Sequence, residues 1–414
     1  MSRLNEEELA RELRARAGDV GGHPIGFDEV KRDAVTIRRH RRLLSGVAAA
    51  AVVAVVVPTA MAVTNGLNQG AQNPVDQPSP ALTESVGPSP DPGPDEIEDA
   101  AIRLTTIGLQ RGDAPGIDYL DGGFLVPTEG DRVNLGARYQ GITEYDEGWI
   151  AVGADDNGNW STYLLDPDGS VRSREPAIEG LAVSSDGSVV AYSTPDGKLM
   201  VMDGDGSPVQ FNDPDAGRMS PVAVFGEGRC DAPEVEGGCV VFYNTDSAQP
   251  RSYLSSGHGI VERVGSFQAL TDVASDRLAG RTSSSLTGSC SAVADQAFAE
   301  QWNTCDFRLR QFSPDGRHIL ATNAYGDGFG DTELAILDAE TGETVVHYDG
   351  MGQDGNGVFI QDMVWEDETH VLAVTFQKGT WMVLRLDTGG NVEQATDGVE
   401  EDDMSRPYYL ATQP

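Results

Sequence analysis

The stretch Gln311-Phe-Ser-Pro-Asp-Gly-Arg-His-Ile-Leu-Ala321 decides the fold of this chain, and Glu333-Leu-Ala-Ile-Leu-Asp338 continues it. Two apolar runs separated by an Asp-Gly turn are typical of antiparallel strands joined by a tight hairpin. The later apolar run, which ends in another acidic turn, predicts a third strand and a hairpin into a fourth. The sequence therefore predicts a compact unit of four strands in this region.

The same unit recurs along residues 96–414, with an acidic residue in its first turn. After a first interval of 26 residues, successive turn acids are 39 to 52 residues apart. Four-stranded units at this period are typical of β-propeller blades. We therefore predict an all-β fold with a propeller of about seven blades, six and eight being the alternatives. The seven turn acids are Asp121, Glu147, Asp186, Glu227, Asp276, Asp315 and Asp367.

The two ends of this repetitive region predict how the ring closes. The first unit is short, and the chain ends in the strand-like Pro407-Tyr-Tyr-Leu-Ala411. A ring has no exposed strand edge when both chain ends contribute strands to one blade. We therefore expect the two ends to pair, which would leave Glu393 to Met404 as a surface loop.

Two of the units resemble a known kind of blade. Phe312 to Ala321, followed by Leu334 to Asp338, resembles the WD40-like repeat of TolB and of the N-terminal propellers of prolyl oligopeptidases. Ala182 to Gly206 resembles it as well, and the resemblance covers roughly residues 100–414. It implies a β-propeller that binds other molecules at one face of its central channel.

An uncharged segment, Leu43 to Val63, separates residues 1–42 from the rest of the chain. Its 21 residues match the length of helix that crosses a bilayer. Lys and Arg precede the segment, and none follows it before Arg103, so we expect residues 1–42 in the cytoplasm. A cleaved export signal ending near Ala60-Met-Ala62 and a buried soluble helix are the alternatives.

These observations give four predicted regions. Residues 1–42 would be a basic, partly helical cytoplasmic tail, and residues 43–63 a single transmembrane helix. Residues 64–95 contain seven prolines among polar residues and predict a disordered linker. Residues 96–414 would be an extracytoplasmic propeller. The whole arrangement resembles uncharacterised single-pass membrane proteins of high-GC Gram-positive bacteria.

The charge of the chain is strongly asymmetric. Residues 1–42 contain ten basic and eight acidic residues, whereas the remainder contains 19 basic and 58 acidic residues, a net charge of −39. A domain this acidic repels the phosphates of nucleic acids, so we expect no nucleic-acid partner. The expected partners are the lipid bilayer, through one helix, and a protein or small-molecule ligand at the propeller face.

The four cysteines, Cys230, Cys239, Cys290 and Cys305, all lie in the region predicted to be outside the cytoplasm. An even number of cysteines in an oxidising compartment predicts two disulfides. We favour the local pairs Cys230–Cys239 and Cys290–Cys305, because each brackets an apparent loop insertion. The longest departures from the repeat, Arg281 to Phe307 and Ala324 to Asp331, are the expected recognition loops.

Several acidic loops offer oxygen atoms suited to calcium, although Asp-Gly pairs are also what tight turns require. Calcium therefore stays a possible cofactor, and no other cofactor is expected. Neither a G-x-S-x-G motif, an H-E-x-x-H motif nor a P-loop occurs in the sequence, and we expect a protein that is not an enzyme. The acidic loops are Asp155 to Asn159, Asp166 to Gly169, Asp203 to Gly206 and Asp327 to Asp331.

The function expected from the sequence is that of a membrane-anchored, extracytoplasmic, non-catalytic module that binds a protein or another ligand. One alternative is a signal transducer whose residues 1–42 bind a cytoplasmic regulator. The other is a propeller enzyme of the hydrolase or lactonase type, with a metal site in its channel. No catalytic or metal-ligating residue can be assigned from the sequence.

Overall fold

The computed structural model describes most of the chain from residue 101 onward. The predicted tail, transmembrane helix and linker, residues 1–95, lie outside the described residues. The described ranges are 101–154, 160–176, 180–194, 196–203, 208–211, 218–226, 239–246, 249–256, 260–274, 276–285, 288–326, 328, 330–352 and 356–411. Within these ranges, no helix is both long enough and apolar enough to cross a bilayer.

The described residues form thirty β-strands. The first ten are β1 (Ile102–Arg103), β2 (Tyr119–Asp121), β3 (Phe124–Val126), β4 (Val133–Asn134), β5 (Gly141–Tyr145), β6 (Gly148–Ala154), β7 (Trp160–Leu165), β8 (Val171–Pro176), β9 (Leu181–Val183) and β10 (Val190–Ser193). The next ten are β11 (Leu199–Met202), β12 (Pro208–Phe211), β13 (Arg218–Phe225), β14 (Val240–Asp246), β15 (Arg251–Ser256), β16 (Ile260–Arg263), β17 (Ala269–Val273), β18 (Arg277–Ser284), β19 (Ser289–Asp295) and β20 (Glu300–Thr304). The last ten are β21 (Phe307–Phe312), β22 (His318–Asn323), β23 (Glu333–Asp338), β24 (Thr344–Asp349), β25 (Phe359–Trp365), β26 (His370–Gln377), β27 (Thr380–Asp387), β28 (Val392–Gln394), β29 (Val399–Glu400) and β30 (Tyr408–Leu410).

These strands form seven sheets, which are the seven blades of a β-propeller. Blades 2 to 7 each contain four consecutive antiparallel strands: β5–β8, β9–β12, β13–β16, β17–β20, β21–β24 and β25–β28. Blade 1 has the order β30-β2-β3-β4, so the last strand of the chain lies beside the first long hairpin. The prediction of a seven-bladed ring closed by both chain ends is confirmed.

The apolar core is divided among the spaces between blades, because each blade buries both of its faces. Seven clusters of buried apolar side chains are present, one between each pair of adjacent blades. Between blades 6 and 7, for example, Ile336 packs with Trp365. The cluster between blades 7 and 1 joins Val374 to Tyr408 and Leu410, which closes the ring.

The parity of the strands defines two faces of the ring. Four antiparallel strands return the chain to the side on which it started, so every inner strand begins on the same side. We call that side the upper face; it contains the connections between blades and the turns between second and third strands. The lower face contains the other two turns of each blade. Residues 323–332 therefore lie on the upper face, and the Ser313-Pro-Asp-Gly316 turn lies on the lower face.

A segment absent from the sequence predictions, residues 102–118, lies against the outside of blades 6 and 7; we call it the outer segment. Its strand β1 pairs in parallel with β24, the outermost strand of blade 6. Further on, the N–H of Gly112 donates to the carbonyl of Gln394 in the outer strand of blade 7, at 2.9 Å. Leu104 and Ile117 are buried in the clusters on either side of blade 7.

Three expectations differ from the observed strands. Residues 281–307 are not an inserted loop, because they contain β19 and β20, the two outer strands of blade 5. The region from Glu393 to Met404 contains β29, which pairs with β27 through Trp381 and Val399. The first repeat unit is the β2–β3 hairpin, and the inner strand of its blade, β30, comes from the other end of the chain. Its acidic turn therefore lies between the second and third strands of the blade, which explains the short first interval.

Among the described residues, one disulfide links two neighbouring strands of blade 5. Cys290 and Cys305 form a disulfide with a Cα–Cα distance of 4.0 Å, and it joins β19 to the residue after β20 at the upper face. Cys239 is also disulfide-bonded. Cys230, its predicted partner, lies outside the described residues.

Candidate functional site

The upper face exposes the large apolar side chains that protein interfaces favour. In the described part of the chain ten large apolar residues are exposed, and six of them lie at the upper ends of strands or in upper-face connections. The four at the lower face are three valines and Phe225. Trp, Tyr, Met and Phe are enriched in interface cores, whereas valine is uncommon among binding hot spots. The six upper-face residues are Ile107, Phe124, Trp160, Tyr325, Met351 and Met404.

Two of these residues lie on the upper face of blade 6. Tyr325, 56% exposed, lies in the turn between β22 and β23, and Met351, 58% exposed, follows β24. Arg103 of the outer segment donates a hydrogen bond to the carbonyl of Met351, at 2.9 Å. The backbone that presents Met351 is therefore held in place while its side chain faces solvent.

Beside them, the inner strand of blade 6 carries two arginines that share one carboxylate. Nη2 of Arg308 lies 2.7 Å from Oδ1 of Asp331, and Nη2 of Arg310 lies 2.6 Å from Oδ2. Arg308 and Arg310 are two residues apart along β21, so their side chains point to the same side of the strand. Asp331 is fixed by its backbone, which exchanges two hydrogen bonds with Ile360 in blade 7. The side chain of Asp331 is only 7% exposed, whereas that of Arg310 is 35% exposed.

A third arginine adds to this group. The positive charge of Arg281, on β18 of blade 5, acts on Arg308. Burial lowers the pKa of Arg308, and the charges of Arg310 and Arg281 act in the same direction, against the effect of Asp331. Two guanidinium groups thus contact one carboxylate, and a third lies near enough for its charge to act on one of them. We call Arg281, Arg308, Arg310 and Asp331 the arginine cluster.

Two aspartates on inner strands flank this cluster in blades 5 and 7. Asp272 accepts hydrogen bonds from the N–H of Val273, at 2.9 Å, and from the N–H of Phe312 in the next blade, at 2.7 Å. Asp362 likewise accepts from Met363 and from Leu410 in the next blade. Each follows a β-bulge, which turns the carboxylate toward the neighbouring inner strand. These two groups join adjacent blades around the channel.

One of the acidic loops that suggested calcium is described in full, and its hydrogen bonds are those of a tight turn. In the turn of Asp166 to Gly169, the N–H of Gly169 donates to the carbonyl of Asp166, at 2.8 Å, and the side chain of Asp166 pairs with Arg172. Residues 155–159 lie outside the described residues, as do 204–206, 327 and 329. Among the residues that are described, no group of three or more His, Cys, Asp or Glu side chains is placed to hold a metal ion.

The structure assembles a site that the sequence predictions identified only in part. The turn 324–331 was expected to be a recognition loop, and it supplies Tyr325 and Asp331 to the upper face. The arginines were not predicted. Arginines at positions i and i+2 of an inner strand, in a strongly acidic domain, are the signal that could have identified them.

Comparisons with known proteins add little to this geometry. No protein-family model and no curated protein matches the chain. Similar solved structures include YCF48 bound to a D1 peptide, with 15% identity over 70% of this chain and 88% of that one, at a TM-score of 0.43. Others are the Cps50 (Swd1) β-propeller domain from Myceliophteria thermophila (13% identity, 64% and 87% covered, TM-score 0.43) and BamB from Moraxella catarrhalis (15%, 70% and 84%, 0.38). The assignment of the fold therefore rests on the strand pairing of this chain.

Proposed function

We propose that this chain is a TolB-like propeller, anchored outside the cytoplasmic membrane by Leu43 to Val63, that binds a protein ligand on its upper face. The observation that carries the proposal is the concentration of exposed Trp160, Tyr325, Met351 and Met404 on that face. Side chains of these types give large contact areas when a partner covers them. The module acts by binding and not by catalysis.

The anchoring part of the proposal comes from charge and length. The 21 uncharged residues match a bilayer, and the basic residues precede them. The seven prolines of residues 64–95 predict an extended linker, which would let the propeller reach a partner away from the lipid surface.

A photo-crosslinking experiment in living cells tests which face binds. A photoreactive phenylalanine analogue replaces Tyr325 in one variant and Val345 in the other; both residues are exposed and belong to blade 6, but they lie on opposite faces. We expect a specific crosslinked protein from position 325 and none from position 345. Equal crosslinking at both positions, or no crosslinked protein at position 325, would contradict the proposal.

A reporter fusion tests the location. Alkaline phosphatase folds with its disulfides only outside the cytoplasm, so a fusion after Pro414 should be active, whereas a fluorescent protein fused before Met1 should fluoresce in the membrane fraction. An inactive phosphatase with a stable fusion protein would place the propeller in the cytoplasm. In that case the anchoring part of the proposal is wrong.

A further inference from the structure

We infer that the arginine cluster binds a carboxylate group of the protein segment that docks on the upper face. This inference rests on the proposed function and names the chemistry that the partner must present. It follows from the unused hydrogen-bond donors of the cluster, from its charge, and from its surroundings.

The donors of the cluster are only partly used. A guanidinium has five N–H groups. Nη2 of Arg308 donates to Asp331 and, at 3.4 Å, to the hydroxyl of Thr322. Arg310 donates through Nε to Thr322 and through Nη2 to Asp331. No acceptor within the described residues contacts either Nη1 atom, and the Nε atoms of Arg308 and Arg281 are buried without an acceptor.

Arg385 shows what a purely structural arginine looks like in the same protein. All five of its N–H groups have acceptors: the carboxylates of Glu366 and Glu393 and the carbonyls of Asp113 and Ala114. Its side chain is 11% exposed and is balanced by two carboxylates. The arginine cluster has the opposite balance, with three positive charges for one negative charge and with open donors.

The Nη1 groups of Arg308 and Arg310, which have no acceptor among the described residues and are not fully buried, and the excess positive charge both favour an anion at this position. Like charges at close range repel each other and destabilise the cluster while it is empty. An incoming carboxylate would accept hydrogen bonds from the open donors and offset the excess charge. Asp362, the next acid in the channel, already lies 3.6 Å from Arg406 and faces Arg310 only from a neighbouring blade.

The shape of the site and its surroundings select a carboxylate of a protein. The planar guanidinium fork matches a carboxylate, as the two-point contact of Arg385 with Glu366 shows elsewhere in the protein. A polyanion such as a nucleic acid would be repelled by the net charge of −39 on residues 43–414. A single carboxylate is affected chiefly by the arginines beside it. Exposed Tyr325, in the same turn as Asp331, provides apolar contact for the residues that flank the acid.

Random dodecapeptides displayed on phage are a suitable probe for the purified full-length chain. We expect the selected peptides to contain Asp or Glu beside an aromatic or apolar residue. Changing that acid to its amide should weaken binding at least tenfold, and Arg310→Gln in the protein should do the same. The two changes together should weaken binding no further than either change alone, because they remove the same contact.

Opposite effects of two variants separate ligand binding from damage to the fold. Asp331→Asn frees both arginines and should tighten the binding of acidic peptides severalfold. Arg310→Lys keeps the charge but loses the planar fork, so it should weaken binding to an intermediate degree. Arg317→Gln is the matched control, because Arg317 also pairs with an aspartate in blade 6 but lies on the lower face. It should leave binding unchanged.

Several results would overturn the inference. Selected peptides that lack an acid, peptides that bind Arg310→Gln as tightly as the wild type, or a failure of Asp331→Asn to tighten binding would each do so. A cluster that binds inorganic phosphate but no acidic peptide would also overturn it. Peptides that depend on Tyr325 and Met351 but not on the arginines would refute the inference and leave the proposed function standing; the absence of any upper-face binder would refute both.

Discussion

The pKa of an aspartate shifts in opposite directions in a lower-face turn and in the channel. Burial of Asp315 in its turn would raise its pKa, but hydrogen bonds from Ser313 and Arg317 outweigh that effect and lower the pKa to about 2. In the channel, burial dominates and raises the pKa of Asp272 to about 6, although two N–H groups stabilise the charge. Hydrogen bonding to the charged form wins in the open turn, and desolvation wins between the blades.

This difference predicts a pH dependence that belongs to Asp272. Its pKa is about 6 in the folded protein and about 3.9 when unfolded, so between these values the folded state holds more protons. The unfolding free energy contributed by Asp272 therefore falls as pH rises from 4 to 6, by at most about 3 kcal/mol, less the effect of channel water. Urea denaturation of wild type and Asp272→Asn at pH 4.5 and pH 7 measures it.

We expect Asp272→Asn to gain stability relative to the wild type as the pH is raised from 4.5 to 7. Asp276→Asn is the control, because Asp276 is an exposed acid in the turn that follows the same inner strand. Its difference from the wild type should stay constant over this range. A constant difference for Asp272→Asn as well would show that the carboxylate is not desolvated.

At the scale of elements, one arginine makes several of the contacts that attach the outer segment to blade 7. Arg385 donates to the carbonyls of Asp113 and Ala114, and its partner Glu366 accepts the N–H of Gly116 at 2.5 Å. The segment approaches so closely that a Cβ at residue 112 would lie 2.1 Å from Oε1 of Glu393. A side chain at position 112 would therefore displace the carboxylate of Glu393 from its contact with Arg385.

Arg385→Met should release the outer segment. The change leaves Glu366, which is buried, without its counter-ion, and the loss of one partner of a buried pair costs about 3–5 kcal/mol. Urea denaturation should show this loss. Hydrogen exchange should show that the amides of Gly112 and Gly116 lose protection before the amides of the inner strands do.

Arg172→Met provides the comparison. Arg172 also pairs with a carboxylate, Asp166, but both side chains are more than a third exposed, so the loss of stability should be far smaller than for Arg385→Met. Similar destabilisation by the two variants would mean that the network around Arg385 does not hold the outer segment.

At the scale of the whole molecule, stability depends on ring closure. The strand β30 covers the edge of β2 and contributes Tyr408 and Leu410 to the cluster between blades 7 and 1. Ala411 belongs to the next cluster, between blades 1 and 2. Three residues at the end of the chain therefore connect blade 1 to the blades on both sides.

Deletion of residues 408–414 should prevent stable folding. Loss of one large buried apolar side chain costs about 2–5 kcal/mol, and the whole stability of a domain is about 5–15 kcal/mol. The deletion also exposes the edge of β2, which favours aggregation. We expect loss of the cooperative thermal transition by circular dichroism. Deletion of residues 412–414 alone is the control, and it should leave the transition unchanged; a folded, monomeric 1–407 chain would contradict the prediction.

Much of the architecture could be predicted from local sequence alone. Stretches such as Gln311 to Ala321 encode their own hairpin, because the alternation of apolar residues and an Asp-Gly turn act over a few residues. Repetition of that pattern predicted the number of blades, and the strand-like Pro407 to Ala411 predicted that the two chain ends pair to close the ring. The prediction failed where the pattern is weak: β19 and β20 contain many small and polar residues and were taken for a loop.

Only the tertiary structure decided which distant residues meet. Arg385 and Asp113 are 272 residues apart in the chain, and Arg308 and Asp331 come together only because the turn after β22 folds back over the inner strand. Local patterns report whether a residue is in a strand and on which side of it, because those properties depend on near neighbours. Burial and charge pairing depend on contacts between blades. The outer segment and the arginine cluster could therefore be identified only from the tertiary structure.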